Sequence, residues 1–356
     1  MKYLFVSNVP SPYRVNFFNQ LSVHIDFTVL FESELLHDSK FNYIQFDQFK
    51  FNYIILSKGS LQPYSINRKI RSFILDPQYD HIIFMNYGYV TELYGLMLAR
   101  RHKRSYSLEI DGAFIKKESI LKRLIKQYVF HKATHILSPG HFTDLYFKHY
   151  HYQGNIYRYT FSSLTDRDII NNYTKHSYTH KKTWLYVGRW VTWKGYQDVL
   201  EVSRHFPNDT FIMITQFQQI KDLDVLKEKY PNVVFKDFMS TQDVFEEIKQ
   251  AFALLLPTQN DIWGLVVNEA MSCGLPVITT TTCGAGLTLI EHEKDGFIYD
   301  VFDQQKLIDA MQQLDQKNKY ESMSNLALQK IKNVTIEKMV EDHQHIFKII
   351  ESKGLS

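Results

Sequence analysis

The chain has 356 residues, 44% of them hydrophobic and 22% charged, with a formal net charge of +3. This is the balance of an ordinary globular protein with full cores, long enough for two α/β domains. Cys273 and Cys283 leave no disulfide frame and no zinc spacing, and no apolar run approaches the roughly 18–20 residues needed to cross a bilayer.

In chain order, residues 1–6 read as a buried strand, because a polar Ser-Asn-Val-Pro turn follows them where a signal peptide would continue. A cytoplasmic chain, peripheral to a membrane at most, is therefore expected. Pro12, Tyr13 and Arg14 lie in the turn between this strand and a first helix, with Pro12 suited to a helix start. Further strands are expected over 26–31, 81–86, 105–110 and 135–138, with helices over 15–21, 91–101, 120–132 and 141–150. Glu109 and Asp111 end one of these strands and project to the same side of an extended chain. The helix over 120–132 sets Leu121, Leu124, Ile125 and Tyr128 against Lys122, Arg123 and Lys126. Its apolar face is expected to pack into the core. Its basic face, with Lys116 and Lys117, is expected to meet anionic lipid. Residues 1–175 hold 22 Lys+Arg against 14 Asp+Glu, whereas the remainder is acidic, so an anionic partner is expected in the first half.

Residues 162–182 have no sustained apolar period and read as a linker. The alternation then restarts, with strands over 184–187, 210–215, 233–235, 253–256, 276–279 and 297–299. Strand–helix alternation in both halves predicts an α/β protein of two doubly wound, Rossmann-like domains facing a cleft. After the strand over 184–187, Gly188 turns the chain, Arg189 and Lys194 bring two cations, and Gly195 opens a helix. A forked guanidinium and a mobile ammonium together suit a pyrophosphate. From Asp261 the chain runs through Gly264 into a short helix. Gly264 permits close backbone approach, the N–H groups of Leu265 and Val266 face an anion, and Glu269 lies one turn on. Apolar neighbours surround Glu269, so its charge needs a partner, and ribose hydroxyls supply one. Asp166-Arg-Asp168 and Asp222-Leu-Asp224 fall in the linker and in an expected helix, so no metal is expected. Aromatic residues recur at strand spacing, which favours core over nucleic-acid stacking.

The block from Gly188 to Gly195 resembles the Gly-Arg…Lys-Gly loop of the retaining glycosyltransferase family four, glycosyl transferases group 1, which has the GT-B fold. The block from Asp261 to Ile278 resembles its Glu, seven residues, Glu segment, with Asp261 in place of the first Glu. The start of the chain, from Ser7 through Tyr13 and Arg14, resembles members that build bacterial surface polysaccharide. This likeness implies an acceptor-binding domain over 1–170, a nucleotide-sugar-binding domain over 171–335, and a helix over 336–356 that crosses back to the first. It further implies a retaining, metal-independent transfer from a nucleotide diphosphate sugar, with UDP as the expected nucleotide. Arg189, Lys194, Asp261 and Glu269 would be catalytic, Gly188, Gly264, Leu265, Val266 and Glu269 would bind the donor, and Pro12, Tyr13, Arg14 and Asp111 would border a saccharide or lipid-linked saccharide acceptor. Two other readings stand beside it, a nucleotide-sugar epimerase on the same fold and a non-catalytic glycosyltransferase-like partner. Asp261 favours the latter. Trp190 and Trp193 are unusual in the phosphate loop, and none of these readings accounts for them.

Overall fold

A computed structural model describes residues 1–35, 46–174 and 176–352. The chain divides into two compact units. Unit 1 joins Met1–Phe161 to Ile336–Ser356, and unit 2 is Ser162–Thr335. The division thus lies ahead of residue 170, and the last helix belongs to unit 1.

Unit 1 runs β1 (Lys2–Ser7), α1 (Pro12–Leu21), β2 (Asp26–Leu35), β3 (Asn52–Ser60), α2 (Ile70–Ile74), β4 (His81–Phe84), α3 (Val90–Arg101), β5 (Tyr106–Glu109), α4 (Ile120–Phe130), β6 (His135–Ser138), α5 (His141–His149) and β7 (Asn155–Arg158). Unit 2 runs α6 (Asp166–Asn172), β8 (Thr183–Val187), α7 (Tyr196–Ser203), β9 (Thr210–Ile214), α8 (Leu223–Lys229), β10 (Val233–Lys236), α9 (Thr241–Gln250), β11 (Ala253–Leu256), α10 (Leu265–Ser272), β12 (Val277–Thr280), α11 (Gly284–Leu289), β13 (Phe297–Tyr299), α12 (Gln304–Leu314) and α13 (Lys317–Ile331). Helix α14 (Ile336–Ser352) then returns to unit 1.

The sheets have the orders β3-β2-β1-β4-β5-β6-β7 and β10-β9-β8-β11-β12-β13. Every strand pair is parallel. The fold is therefore α/β with two doubly wound sheets, as expected. Central strands such as β4, β6, β11 and β12 are buried along their whole length, because helices cover both faces of a parallel sheet. Chain order reverses between β1 and β4 in unit 1, and between β8 and β11 in unit 2. In such sheets ligands bind outside the carboxyl ends of the strands at that reversal.

Four sequence-based expectations change. Strands β3 and β7 were not anticipated. Both are edge strands with half-exposed patterns; β7 has only Ile156 and Tyr157 as apolar residues, and the apolar run over 53–56 in β3 is short and followed by a polar stretch. The stretch over 162–182 is not a plain linker, because it contains α6. Thr165 caps that helix, and Asp168 reciprocates by accepting from the Thr165 N–H at 2.8 Å. This capping box is the role of Asp168 in the first Asp-x-Asp pair. The apolar face of α4 does not enter the core: Leu121, Leu124 and Tyr128 are exposed, and only Val129 and Phe130 are buried. Finally, Lys126 is not a free surface cation, since its Nζ lies 2.5 Å from Glu118 Oε2 and 3.1 Å from the Tyr150 hydroxyl.

Candidate active site

The loop leaving β8 and the loop leaving β11 flank the reversal in unit 2. Hydrogen bonds fasten them to the sheet and to each other. The Gly188 N–H donates to the Ile214 carbonyl at 3.1 Å. The Tyr186 hydroxyl lies beneath the loop, 3.3 Å from the Arg189 carbonyl and 3.4 Å from that of Lys194. The Trp193 carbonyl accepts from Thr258 Oγ1 at 3.0 Å and from the Gln259 N–H at 2.8 Å. Gly195, at φ +75°, is the point of closest approach: a Cβ there would stand 1.8 Å from the Pro257 carbonyl oxygen. No other residue type fits at that position.

The charges sit on this frame. Lys194 Nζ pairs with Asp261 Oδ2, and both side chains are largely buried. The Trp193 ring holds two cations, with the Arg189 guanidinium 4.9 Å and Lys194 Nζ 5.2 Å from its centroid. Such contacts contribute about 0.5–1 kcal/mol each at exposed sites. Trp190 stacks on Tyr196 at 3.7 Å between centroids and meets Phe235 edge-on. One tryptophan thus orients the cations, and the other anchors the loop to α7 and β10.

A third segment closes the arrangement. The Asp261 N–H donates to the Thr282 carbonyl at 2.9 Å, and its carbonyl accepts from the Gly284 N–H at 3.0 Å. The Trp263 carbonyl accepts from the Ala285 N–H at 2.8 Å, and its indole N–H donates to Asn268 Oδ1 at 2.9 Å. Gly264, at φ +95°, starts α10. A Cβ on it would stand 3.0 Å from Cys283 Sγ and 3.3 Å from Asp261 Oδ2. Burial pushes the Cys283 thiol up to about 11, so it stays protonated and packs as an apolar group.

The first N–H groups of α10, at Leu265 and Val266, have no carbonyl one turn earlier in the helix and carry its positive end. Glu269 follows on the next turn. Burial pushes its carboxyl up to about 7, and among the described residues no side chain or N–H group pairs with it. A desolvated carboxyl without a partner makes Glu269 a candidate ligand contact.

In unit 1, Pro12 opens α1, and Arg14 in its first turn is buried. Arg14 Nη1 donates to Glu109 Oε1 at 2.7 Å, and Nη2 pairs with Asp111 Oδ1. The Tyr13 hydroxyl donates to the other Asp111 oxygen at 2.6 Å. Glu109 Oε2 lies 3.2 Å from Nε2 of His343 on α14, whose Nδ1 donates to the Met339 carbonyl at 2.7 Å. Burial alone would raise the Glu109 carboxyl, but His343 and Arg14 outweigh it and hold it low. Burial does raise Asp111 despite Arg14. Arg14 therefore offers no free charge to an acceptor, and its role is to hold Asp111, the half-exposed member of the group.

The structure brings the Gly188–Gly195 loop onto the Pro257–Asp261 loop and sets Gly264, Leu265, Val266 and Glu269 behind it. Tyr13, Arg14 and Asp111 converge separately in unit 1. Sequence reasoning missed Tyr186, Thr258 and Trp193 as supports of the loop. It also missed His343, whose signal was a lone histidine in the apolar pattern of the last helix.

Residues 171–330 match the family model described as glycosyl transferases group 1. The chain is 24% identical over 191 residues to an uncharacterized glycosyltransferase of Haemophilus influenzae, covering 52% of this chain and 54% of that protein. It is 28% identical over 134 residues to the lipopolysaccharide glucosyltransferase WaaG of Escherichia coli, covering 36% of this chain and 35% of that one. These matches span about half and a third of the two curated relatives. Among solved structures, Anabaena Alr3699/HepE in complex with UDP superposes with a TM-score of 0.73 at 16% identity, covering 99% of this chain and 100% of the other. The same protein is also solved with UDP-glucose. This likeness shows the fold, two doubly wound units of the GT-B type.

Proposed function

We propose that the protein is a retaining, metal-independent glycosyltransferase. It moves a hexosyl or N-acetylhexosaminyl group from a UDP-sugar to a saccharide acceptor, lipid-linked, in the synthesis of a bacterial capsule, exopolysaccharide or other surface glycan. The observation that carries this reading is the partnerless Glu269 carboxyl on α10, one turn behind a helix tip whose Gly264 adjoins Asp261, the partner of Lys194. The family match over 171–330 and the UDP complexes of a protein with the same fold support it.

In this reading Glu269 accepts from the ribose hydroxyls. Arg189, Lys194 and the N–H groups of Leu265 and Val266 neutralise the diphosphate as it leaves, so charge is stabilised where it develops. The diphosphate competes with Asp261 for Lys194, which frees Asp261 to accept from a donor-sugar hydroxyl. The bond from the anomeric carbon to the phosphate oxygen breaks. The acceptor oxygen bonds to that carbon on the same face, and its proton passes to a phosphate oxygen. Asp111, held by Arg14 and Tyr13, binds an acceptor hydroxyl. Neutralisation by the protein's own cations predicts that transfer persists in EDTA. Complete loss of turnover in chelator, restored by magnesium or manganese, would contradict it. The acceptor reading places the enzyme at the inner face of the cell membrane.

A further inference from the structure

Helix α4 faces outward with the side that a core helix would bury. Ile120, Leu121, Leu124 and Tyr128 are 79, 67, 56 and 46% exposed, and Ile115 ahead of the helix is 52% exposed. At about 100° per residue, the four helical side chains fall within one arc of about 100°. Lys122 and Arg123, both exposed, lie on either side of that arc, and Lys116 and Lys117 are exposed just before it. Glu118 is the sole acid between Asp111 and Asp144 in the sequence, and Lys126 neutralises it. The rim of the apolar strip is therefore cationic. Soluble monomers rarely display a contiguous apolar strip of this kind. A helix with an apolar face and basic flanks lies in the plane of an anionic bilayer.

We propose that α4 is an interfacial helix. It inserts Ile120, Leu121 and Leu124 into the acyl boundary of an anionic membrane, while Lys116, Lys117, Lys122 and Arg123 engage the headgroups. This deepens the membrane-side reading above, on which it rests, by replacing surface adsorption with apolar insertion. The full chain is tested by co-sedimentation with phosphatidylglycerol-containing and pure phosphatidylcholine vesicles at low and high salt. The wild type binds the anionic vesicles and keeps a salt-resistant bound fraction. A Leu121→Asn/Leu124→Asn double variant binds at least about tenfold more weakly and is released fully by salt. A Leu121→Trp variant gains fluorescence that acyl-chain-brominated lipid quenches.

Failure of the wild type to bind overturns the proposal. So does binding by the double variant with unchanged strength and salt response, or a new tryptophan that brominated lipid does not quench. Lipid-free self-association that the double variant abolishes also overturns it, since a second copy would then cover α4. UDP affinity is measured in parallel. It stays unchanged in the double variant, whose substitutions lie outside unit 2, and a wild type that fails to bind UDP counts against the donor site instead.

Discussion

Glu269 makes the donor reading quantitative. Its carboxyl sits at about 7 in the folded chain against an ordinary value of 4.5. Between these values the folded protein holds a proton that the unfolded chain has released. Its contribution to stability is therefore present at low pH and lost as pH rises through about 7. Ribose hydroxyls are best accepted by the ionised form, so UDP affinity is expected to run the other way and increase across the same window. Glu269→Gln removes the titration. Its UDP affinity should be flat with pH and at least about tenfold weaker at pH above 7, the loss of a charge-assisted hydrogen bond of about 1.5–3 kcal/mol. Calorimetric titration with UDP and thermal unfolding, each across pH, check both signs. A Glu269→Gln protein with wild-type affinity throughout would remove Glu269 from the site.

The ties between elements explain which parts of the site were legible in the sequence. Arg14 joins α1 to β5 through Glu109 and Asp111, and Glu109 joins β5 to α14 through His343. Arg14→Met leaves two carboxylates without their buried cation, so it should cost about 3–5 kcal/mol in urea unfolding. Tyr13→Phe, which removes one hydrogen bond, should cost about 1 kcal/mol. Equal costs would show that the guanidinium is not the centre of the network. The alternation of Glu109 and Asp111 foretold that both carboxylates share a side. It did not foretell that Arg14 would fill that side, because nothing local links residues so far apart in the chain. The Gly188–Gly195 and Asp261–Glu269 blocks were legible because each is a short glycine-punctuated turn between a strand and a helix. What joins them was not. Contacts of the Trp193 carbonyl with Thr258 and Gln259, and of Gly195 with Pro257, exist only once β8 lies beside β11. The outward face of α4 was misread for the same reason, since an amphipathic pattern does not say which medium its apolar side meets.

Unit 2 is one uninterrupted stretch with its own sheet and its own core around Trp184, Phe211, Leu255 and Met311. All the proposed donor contacts lie within it. A fragment spanning Ser162–Thr335 should therefore fold cooperatively and bind UDP within about fivefold of the full chain, a difference of about 1 kcal/mol. Circular dichroism and calorimetry check this. A folded fragment with no UDP affinity would mean that unit 1 supplies donor contacts. Unit 1 has no such independence. Helix α14 packs on α1, and its Phe347 stacks on Tyr3 at 4.8 Å between centroids.

That closure has a consequence in time. The ribosome delivers the first unit's strands early but delivers their covering helix only after unit 2. Until residues 336–352 emerge, Tyr3, Phe17 and the Glu109 carboxylate lack partners that α14 provides. Unit 2, translated in between, can finish first. The nascent chain therefore matures from the middle outward, and a premature stop a few codons before 336 would release a complete unit 2 attached to an unfinished, aggregation-prone unit 1.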